Sequence, residues 1–543
     1  MRIIVIGGVA AGASAAAKAR REDESAEIIM FEKGPYISFA NCGLPYYLGR
    51  EIEKREDLMV WEARAFEKRY NVRVYTEHEA KSIDAMKKEV EVEDLKSGER
   101  KRWGYDKLIY APGTRPIALP FFRGNNLFTL RDIPDADAIK SYTESKKPEK
   151  ALIIGAGFIG LEVAEAFVKL GLKVTVVELM PQVLPNMDAD IASYVEKELG
   201  LMGINVFLNR AVKDFVLEGE EISEAVLDNG EKVPCDLVFA SIGVKPDIEL
   251  AKSAGIRTGS KGIVVNDRME TSAKDVFAAG DAVESLNIVT GKPLWAALAG
   301  PANQQGRVAG ANAAGGDMMY RGTLGTFIIR VGSMTAAKTG LSEREAEKEG
   351  YDFFPVYVHP QSHAGYYPGA ERLHMKLIVE SKGRILGAQI AGKDGVDKRI
   401  DVIATAISFG ASINDLEHLN LAYAPPFSSA RDPVNLAGMV GSHILDGSVE
   451  PCYTKGDEVF VDVRTEREYK RGHVDGAIHV PVDDLRDRLN DLDKNETYAV
   501  YCREGYRSYL AYRILKQMGF RVKNYVGGYL TYTAKKSADK KEH

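Results

Sequence analysis

A strand–glycine turn–helix–strand unit that ends on an acidic residue occurs twice in this chain, and this repeat constrains the fold more than any other feature. The first copy has an apolar run over residues 2–6, an alanine-rich helix to about residue 21 and a second apolar run over 27–31. Its turn and acidic end are formed by Gly7, Gly8, Gly12 and Glu32. Glycines at these points allow a tight turn and close helix–strand packing, and the helix N-terminus then faces a pyrophosphate. The first copy therefore predicts a parallel sheet with a dinucleotide site, where Glu32 accepts hydrogen bonds from the ribose.

The second copy follows the same order and has the more regular glycine spacing. An apolar run over residues 152–154 precedes the turn, a helix extends to about residue 170, and a strand over 174–177 follows. Its glycines and acidic residue are Gly155, Gly157, Gly160 and Glu178. Two complete units predict two different bound dinucleotides. Because no arginine follows Glu178, the second site favours the 2′-hydroxyl of NADH, and NADPH stays open as an alternative.

The composition excludes several other classes of function. The 72 basic and 78 acidic side chains leave a net charge of −6, which provides no electrostatic basis for binding nucleic acid. No apolar run approaches the ~18 residues that span a membrane, so we expect a cytoplasmic protein without membrane insertion. The cysteines are too few and too far apart for a disulfide framework or a metal cluster, and neither is predicted. They are Cys42, Cys235, Cys452 and Cys502.

Two further apolar runs end on residues suited to cofactor contacts. The run over 237–240 is followed by Gly243, and the run over 276–278 is followed by Gly280 and Asp281. An aspartate after a strand is, by itself, commonly a helix N-cap. Beside two dinucleotide units, the functional interpretation of Asp281 is favoured.

With these features, residues 1 to about 445 resemble the FAD-dependent pyridine nucleotide–disulfide oxidoreductases. The resemblance implies FAD at the first glycine turn and NADH at the second. It places Asp281 on the ribityl chain of FAD and a helix start that includes Ala302 against the flavin. It also implies a homodimer formed through an interface domain.

The stretch from Ser38 to Tyr47 contains one cysteine, Cys42, and no Cys-x-x-x-x-Cys pair. Its Ser-Phe-x-x-Cys-Gly-x-Pro-Tyr pattern resembles the single-cysteine branch of the family, which comprises CoA-disulfide reductases, NADH oxidases and NADH peroxidases. The resemblance implies that Cys42 carries either a mixed disulfide or a sulfenic acid beside the flavin, and that contact with the flavin helps to keep its thiolate ionised. Since no partner cysteine is near, the substrate should itself be a thiol derivative.

Two tyrosine-bearing segments of the interface domain resemble those of CoA-disulfide reductases. The resemblance implies that Tyr423, together with Tyr366 or Tyr367, reaches the thiol site of the partner subunit and supplies a proton to the leaving thiolate. The sequence does not choose between Tyr366 and Tyr367. The CoA contacts that the resemblance implies are Ser14, Lys18, Arg21, Ser38, Asn41 and Arg431.

The basic residues at the end of the first helix have two interpretations. Lys18, Arg20 and Arg21 form a cluster suited to the ADP 3′-phosphate of CoA. Basic residues at a helix C-terminus equally complement the helix dipole in solvent.

The C-terminal stretch runs from a strand over 498–501 into Cys502-Arg503-Glu504-Gly505-Tyr506-Arg507 and then into a helix. This order aims backbone N–H groups at the cysteine sulfur, so Cys502 should be a strong thiolate that stabilises a persulfide, with Arg507 closing the loop. The stretch resembles rhodanese domains over about residues 455–535. Of the other cysteines, Cys235 is predicted to be a core residue and Cys452 a linker residue.

The sequence therefore predicts an α/β protein with two Rossmann-like dinucleotide-binding domains, an α+β dimerisation domain and a C-terminal α/β rhodanese domain. The predicted boundaries are 1–147 with 265–320 for FAD, 148–264 for NAD(P)H, 321–445 for the interface domain, 446–457 for a linker and 458–543 for the rhodanese domain.

The leading functional prediction is an NADH-dependent reductase of CoA disulfide, CoA persulfide or polysulfide. The alternatives are an NADH oxidase or peroxidase that works through a Cys42 sulfenic acid, and a redox sensor or sulfur carrier without catalysis. The sequence does not rank the sulfur substrates and does not define the route of sulfur between Cys502 and Cys42.

Overall fold

The computed structural model describes residues 1–539, and the chain divides into two compact units. The first unit comprises Met1–Val177 and Ile204–Gly325. The second comprises Glu178–Gly203 and Thr326–His543, described as far as residue 539. The helices in chain order are α1 (Ala10–Glu22), α2 (Leu44–Leu48), α3 (Ala63–Tyr70), α4 (Ile133–Lys146), α5 (Phe158–Lys169), α6 (Ala189–Leu201), α7 (Glu249–Ser253), α8 (Ala299–Ala313), α9 (Glu343–Glu349), α10 (Val396–Ser408), α11 (Ile413–Glu417), α12 (Pro433–Leu445), α13 (Glu466–Lys470), α14 (Tyr506–Gln517) and α15 (Gly528–Asp539).

The strands of the first unit form two parallel sheets and several small antiparallel ones. They are β1 (Arg2–Ile6), β2 (Glu27–Glu32), β3 (Arg73–Thr76), β4 (His78–Asp84), β5 (Glu89–Asp94), β6 (Arg100–Gly104), β7 (Lys107–Tyr110), β8 (Thr114–Pro116), β9 (Leu127–Phe128), β10 (Lys150–Ile154), β11 (Lys173–Val177), β12 (Asn205–Phe207), β13 (Val212–Glu218), β14 (Glu221–Leu227), β15 (Lys232–Pro234), β16 (Leu237–Ala240), β17 (Val244–Pro246), β18 (Val276–Ala278), β19 (Ser285–Leu286) and β20 (Pro293–Leu294).

The two parallel sheets repeat the same arrangement. The order of the first sheet is β18-β7-β1-β2-β3, and that of the second is β12-β11-β10-β16-β9. In the first, Ile4 pairs with Ile29 on one side and with Leu108 on the other. The central strands are buried on both faces, which explains why their sequences are continuous apolar runs and do not alternate. Because parallel strands end at the same edge, the glycine turns after β1 and β10 lie at the edges of their sheets where nucleotides bind in this architecture.

The second unit contains an antiparallel sheet and a parallel sheet. The antiparallel order is β21-β22-β25-β24-β23, and the parallel order is β26-β30-β29-β27-β28. The strands are β21 (Phe327–Val331), β22 (Met334–Gly340), β23 (Phe353–Val358), β24 (Leu373–Glu380), β25 (Ile385–Gly392), β26 (Pro451–Cys452), β27 (Val459–Asp462), β28 (Ile478–His479), β29 (Thr497–Tyr501) and β30 (Arg521–Tyr525). These sheets, with the two parallel sheets of the first unit, confirm the predicted α/β class.

One residue placement from the sequence is wrong. Cys452 was expected in a linker, but it lies in the edge strand β26, where it pairs with Tyr525 of β30. The strand is two residues long, and its sequence context is polar, so no local pattern marked it. Cys235 is buried, as expected for a core residue. Within residues 1–539, no helix is long and apolar enough to cross a lipid bilayer.

Candidate active sites at two cysteines

The turn between β1 and α1 leaves no room for a side chain at its third glycine. A Cβ atom on Gly12 would lie 1.8 Å from the carbonyl oxygen of Gly7. Both oxygens of Glu32 bind the adjoining backbone, since the N–H groups of Gly8 and Gly34 each donate to the carboxylate at 2.7 Å. Burial raises the pKa of Glu32, and these two hydrogen bonds oppose that shift. Each oxygen keeps a second lone pair, so Glu32 is held in place and still able to accept from a ribose hydroxyl.

Asp281 provides the test of whether this turn fits FAD. It lies in a 3-10 turn, Gly280–Ala282, directly after β18, and burial alone raises the pKa of its carboxyl group to about 6. Within residues 1–539, no protein side chain or backbone group donates a hydrogen bond to that carboxyl group. A buried acceptor in this state suits the hydroxyl donors of a ribityl chain.

Gly280 and Ala302, which the sequence predicts to lie beside the flavin, are close to each other and to α1. A Cβ atom on Gly280 would lie 2.9 Å from the Cβ of Ala11 and 3.9 Å from that of Ala302. The starts of α1 and α8 therefore meet the end of β18. The predicted FAD residues of the first unit converge on one place, and they fit the cofactor.

The second glycine turn repeats this construction. A Cβ atom on Gly160 would lie 2.1 Å from the carbonyl oxygen of Gly155, whereas one on Gly157 would meet no protein atom within 4 Å. The open side of Gly157 is where the backbone can approach a pyrophosphate. Gly243 precedes β17, and its carbonyl accepts from Ile117 N–H at 3.0 Å. Glu178 directly follows β11, and its carboxylate accepts from Met180 N–H at 2.8 Å.

The loop that carries Cys42 lies against the first glycine turn. Ser38 N–H donates to the carbonyl of Gly8 at 2.8 Å, and the side-chain amide of Asn41 donates to the carbonyl of Arg131 at 3.3 Å. Cys42 itself is the middle residue of a 3-10 turn, Asn41–Gly43. It is exposed, whereas the other three cysteines of the chain are buried.

The charges around Cys42 oppose its ionisation. Partial desolvation by the surrounding protein raises the pKa of the Cys42 thiol, although the side chain reaches solvent. The carboxylates of Glu162 and Asp281 raise it further. Glu162 lies on α5, two residues after Gly160, and the Tyr46 hydroxyl donates to it at 3.1 Å. Sequence reasoning missed Glu162, because a glutamate on a helix carries no local signal that it faces a cysteine.

The predicted CoA residues of α1 have mixed surroundings. Ser14 Oγ donates to Asn303 of α8 at 2.5 Å, Lys18 is paired with Glu22, and Arg21 is exposed. Arg20 is not available for a phosphate, which corrects its place in the basic cluster. Its side chain is buried, and its guanidinium donates to the backbone carbonyls of Tyr70, Asp23, Glu24, Ala26 and Asn71.

The remaining predicted residues of the Cys42 reaction lie in the second unit. The hydroxyl groups of Tyr366 and Tyr423 are hydrogen-bonded at 3.0 Å, and both side chains are exposed. Tyr367 instead makes an edge contact with the ring of His363, at 5.7 Å between centroids. Arg431 is exposed and immediately precedes the N-cap of α12.

Cys502 lies in a different environment, between the end of β29 and the start of α14. Its side chain is 1 % exposed, and the Gly505 N–H donates to Sγ at 3.1 Å. The backbone of Gly505 is left-handed, with φ 114°, which turns this N–H inward and favours glycine. Arg507 lies in the first turn of α14, and a negative charge on the Cys502 sulfur acts on it, which, after the hydrogen bond to Glu468, helps to raise the pKa of its guanidinium.

Arg507 is itself fixed by an ion pair with Glu468. Two nitrogens of its guanidinium each donate to a carboxylate oxygen at 2.7 Å. Glu468 also closes a capping box with Thr465 at the start of α13. The Arg507 pair lowers the pKa of Glu468 to about 2. The loop, α13 and α14 therefore aim one cation and one backbone N–H at the Cys502 sulfur, which suits a thiolate or persulfide.

The comparisons with known proteins agree with this organisation. Residues 1–309 match the pyridine nucleotide-disulphide oxidoreductase model, residues 328–434 its dimerisation domain and residues 452–535 the rhodanese-like domain. A coenzyme A disulfide reductase of Staphylococcus aureus is 34% identical over 80% of this chain and 99% of its own length.

Two solved structures resemble the whole chain. Reduced CoADR-RHD of Bacillus anthracis is 40% identical with a TM-score of 0.96, and covers 98% of both chains. An NAD-dependent persulfide reductase from A. fulgidus is also 40% identical, with a TM-score of 0.92, covering 98% of this chain and all of the other. On these matches, the chain belongs to the pyridine nucleotide-disulphide oxidoreductase family and carries a C-terminal rhodanese-like domain.

Proposed function

We propose that this protein is an FAD-dependent NADH:CoA-disulfide, CoA-persulfide or polysulfide reductase that uses Cys42, with a rhodanese module that handles sulfane sulfur on Cys502. The observation that carries the proposal is that Cys42 is exposed, whereas the other three cysteines of the chain are buried. Because an accessible cysteine without a partner cannot form an internal disulfide, the second sulfur has to come from the substrate. The relatives that act on CoA disulfide and persulfide are consistent with such a substrate.

The sulfur chemistry is a two-stage exchange at Cys42. Its thiolate attacks one sulfur of CoA disulfide, which forms a Cys42–CoA mixed disulfide and releases one CoA thiolate. Two electrons that come from NADH then break the mixed disulfide and return the Cys42 thiolate and a second CoA thiolate. FAD bound at the first glycine turn would supply the two-electron relay.

The leaving CoA thiolate takes its proton from the tyrosine pair. Tyr366 is favoured over Tyr367 for this role, because Tyr366 shares a hydrogen bond with Tyr423. That hydrogen bond raises the pKa of Tyr366, so the hydroxyl is protonated, as a proton donor has to be. The pair would act in trans, in a homodimer formed through the dimerisation domain.

The exposed aromatic surface supports that dimer. Tyr366, Tyr423 and Phe427 are 76%, 47% and 72% exposed within the single chain. Large exposed aromatic side chains that lie close together are typical of protein interfaces. The same surface would bring Arg431 to the CoA site, where Lys18 and Arg21 supply further positive charge for its phosphates.

The nucleotide preference is proposed from the acidic residue of the second unit. Glu178 has a hydrogen bond to Met180 N–H that fixes its carboxylate at the end of β11. A fixed carboxylate accepts from a ribose 2′-hydroxyl and repels a 2′-phosphate, so NADH is expected to be used in preference to NADPH.

Mass spectrometry of the purified protein tests the proposal. We expect a CoA adduct on Cys42 after incubation with CoA disulfide, and release of one CoA per Cys42 when NADH is added without oxygen. A protein that consumes NADH rapidly with oxygen or peroxide, and never forms the adduct, would be an oxidase or peroxidase. A protein that binds both nucleotides but does not turn over would be a sensor or carrier.

A further inference from the structure

The Cys502 loop is attached to a residue outside the rhodanese module. Glu504, two residues after Cys502, forms an ion pair with Arg372, which directly precedes β24 of the antiparallel sheet. The same guanidinium nitrogen of Arg372 donates to the backbone carbonyl of His359 at 2.5 Å. Arg372 is partly buried, so its side chain has little freedom to leave this position.

A second attachment to the loop passes through α15. The N–H groups of Tyr529 and Leu530 donate to the carbonyls of Cys502 and Arg503 at 2.8 and 3.1 Å. One residue further along α15, the Thr531 hydroxyl is hydrogen-bonded to the ring of His359 at 2.8 Å. The carbonyl of His359 thus holds Arg372 while its ring holds α15. Both attachments of the Cys502 loop end on the same residue of the antiparallel sheet.

We propose that Arg372 is a positioning residue for sulfurtransfer at Cys502. From outside the rhodanese module, Arg372 neutralises Glu504 and fixes the Cys502 loop. The inference rests on the proposed sulfurtransfer at Cys502. In that step the Cys502 thiolate attacks the sulfane sulfur of thiosulfate, an S–S bond forms on Cys502, the S–S bond of thiosulfate breaks, and sulfite leaves. The charge is conserved, because a thiolate and a dianion become a persulfide anion and a dianion.

The charges of the Cys502 loop explain why Glu504 needs a partner. Arg507, paired with Glu468, and Arg503 are cationic, whereas Glu504 is the only acidic residue of the loop itself. Burial and the positive charge of Arg503 lower the pKa of Arg372, so the pair with Glu504 also relieves a concentration of cations. Without Arg372, the Glu504 carboxylate would oppose both the thiolate and the approach of an anionic sulfur donor.

A double-mutant cycle tests this role. We expect Arg372→Gln to lower kcat/KM for transfer of sulfur from thiosulfate to cyanide roughly tenfold. We expect Glu504→Gln to change it by less than about twofold, because no charge is then left to neutralise, and the double variant to resemble Glu504→Gln. Arg372→Lys should recover most of the loss, since it keeps the charge. Arg488→Gln is the matched control, an exposed rhodanese arginine that pairs with Asp491 at 2.8 Å.

A second measurement separates charge from fold. The pH midpoint for alkylation of Cys502 by iodoacetamide, followed by peptide mass spectrometry, should rise in Arg372→Gln and return in the double variant. NADH-dependent reduction of CoA disulfide should stay at the wild-type rate in all of these variants. If wild type shows no sulfurtransfer, the proposed function of Cys502 fails, and the alkylation midpoint still tests Arg372.

Two results would overturn the inference. One is an equal loss in Arg372→Gln whether or not Glu504 is present, because Arg372 would then act independently of the loop charge. The other is an unchanged alkylation midpoint and kcat/KM in Arg372→Gln. If Arg372→Gln does not fold, Arg372→Lys and Glu504→Gln are compared instead, and both should stay close to wild type in kcat/KM and in the alkylation midpoint of Cys502. A shifted midpoint in Glu504→Gln would count against the role.

Discussion

The two cysteines proposed to carry sulfur lie in opposite electrostatic surroundings. Cys42 is exposed, and partial desolvation, followed by two nearby carboxylates, raises the pKa of its thiol. Cys502 is buried, accepts a backbone N–H and lies beside the guanidinium of Arg507. The folded chain therefore places a cation and a hydrogen-bond donor at the Cys502 sulfur, whereas it places carboxylates near Cys42.

This difference indicates what each cysteine depends on. The groups that would stabilise a thiolate at Cys502 lie within the folded chain, which agrees with the sulfur-carrying role proposed for it. Cys42 needs a favourable partner from outside the chain, which agrees with a proposed place beside a bound flavin. The different surroundings also explain why one chain can contain both cysteines, since the Cys42 site is suited to reduction of a bound sulfur compound and the Cys502 site to its transfer.

Exchange of each cysteine for serine is the strongest test of whether the two cysteines serve separate reactions. We expect Cys42→Ser to lower NADH-dependent reduction of CoA disulfide roughly a thousandfold or more, while NADH still bleaches the flavin. We expect Cys502→Ser to abolish thiosulfate sulfurtransfer and to spare the reduction of CoA disulfide. Steady-state rates of both reactions in both variants provide the measurement, and each variant controls for the other. Equal loss of both activities in either variant would contradict two separate sites.

Removal of the cation beside Cys502 should have the next largest effect. We expect Arg507→Gln to lower sulfurtransfer by about 10- to 100-fold and to move alkylation of Cys502 to higher pH, because the anion loses its stabilising charge. Arg507→Lys should lie between wild type and Arg507→Gln, since lysine keeps the charge but not the paired hydrogen bonds to Glu468. An alkylation profile identical to wild type in Arg507→Gln would show that the cation does not act on the sulfur.

Removal of an anion beside Cys42 should have the opposite sign and a smaller size. We expect Glu162→Gln to shift alkylation of Cys42 to lower pH by about one unit or less, because the charge lies in partly solvated surroundings. Glu249→Gln on α7 is the control, since that side chain is exposed and paired with Lys252. The alkylation rate is measured against pH with the flavin removed and again with it bound. A shift of Cys42 alkylation to higher pH in Glu162→Gln would show that Glu162 does not oppose ionisation of the thiol.

The smallest expected effect concerns stability at acid pH. The Arg507 pair holds the pKa of Glu468 at about 2, below its value in an unfolded chain, so its contribution is present above ~4.5 and is lost as pH falls towards 2. With allowance for solvent screening, we expect Glu468→Gln to cost about 1 kcal/mol of unfolding free energy at neutral pH. Denaturant unfolding of the rhodanese signal at several pH values measures it. The difference between wild type and variant should shrink steadily as pH falls from about 4.5 to 2. A difference that grows towards acid would contradict the assignment.

The elements that follow from local pattern were predictable. The glycine turns after β1 and β10 need small residues at fixed spacing, and the strands beside them are continuous apolar runs, so both repeats are visible without a structure. The Cys502 loop is equally local, since β29, the cysteine, Gly505 and Arg507 follow one another within a few residues.

The features that were missed are contacts between distant parts of the chain. Glu162 acts on Cys42 because α5 packs beside the cysteine loop. The guanidinium of Arg20 donates its hydrogen bonds to carbonyls of α3 and of the turn before β2. Cys452 belongs to the rhodanese sheet only because β30 pairs with it. None of these residues has a neighbour in sequence that marks its role.

The sequence by itself determined the two dinucleotide units, the lone cysteine at position 42 and the strand–loop–helix order around Cys502, because each depends on residues a few positions apart. Only the tertiary structure decided which charges surround each sulfur and that Arg372 contacts the Cys502 loop. The physical reason is that electrostatic interactions act through space: the sign of the field at a cysteine is set by side chains that folding brings near it, whatever their separation along the chain.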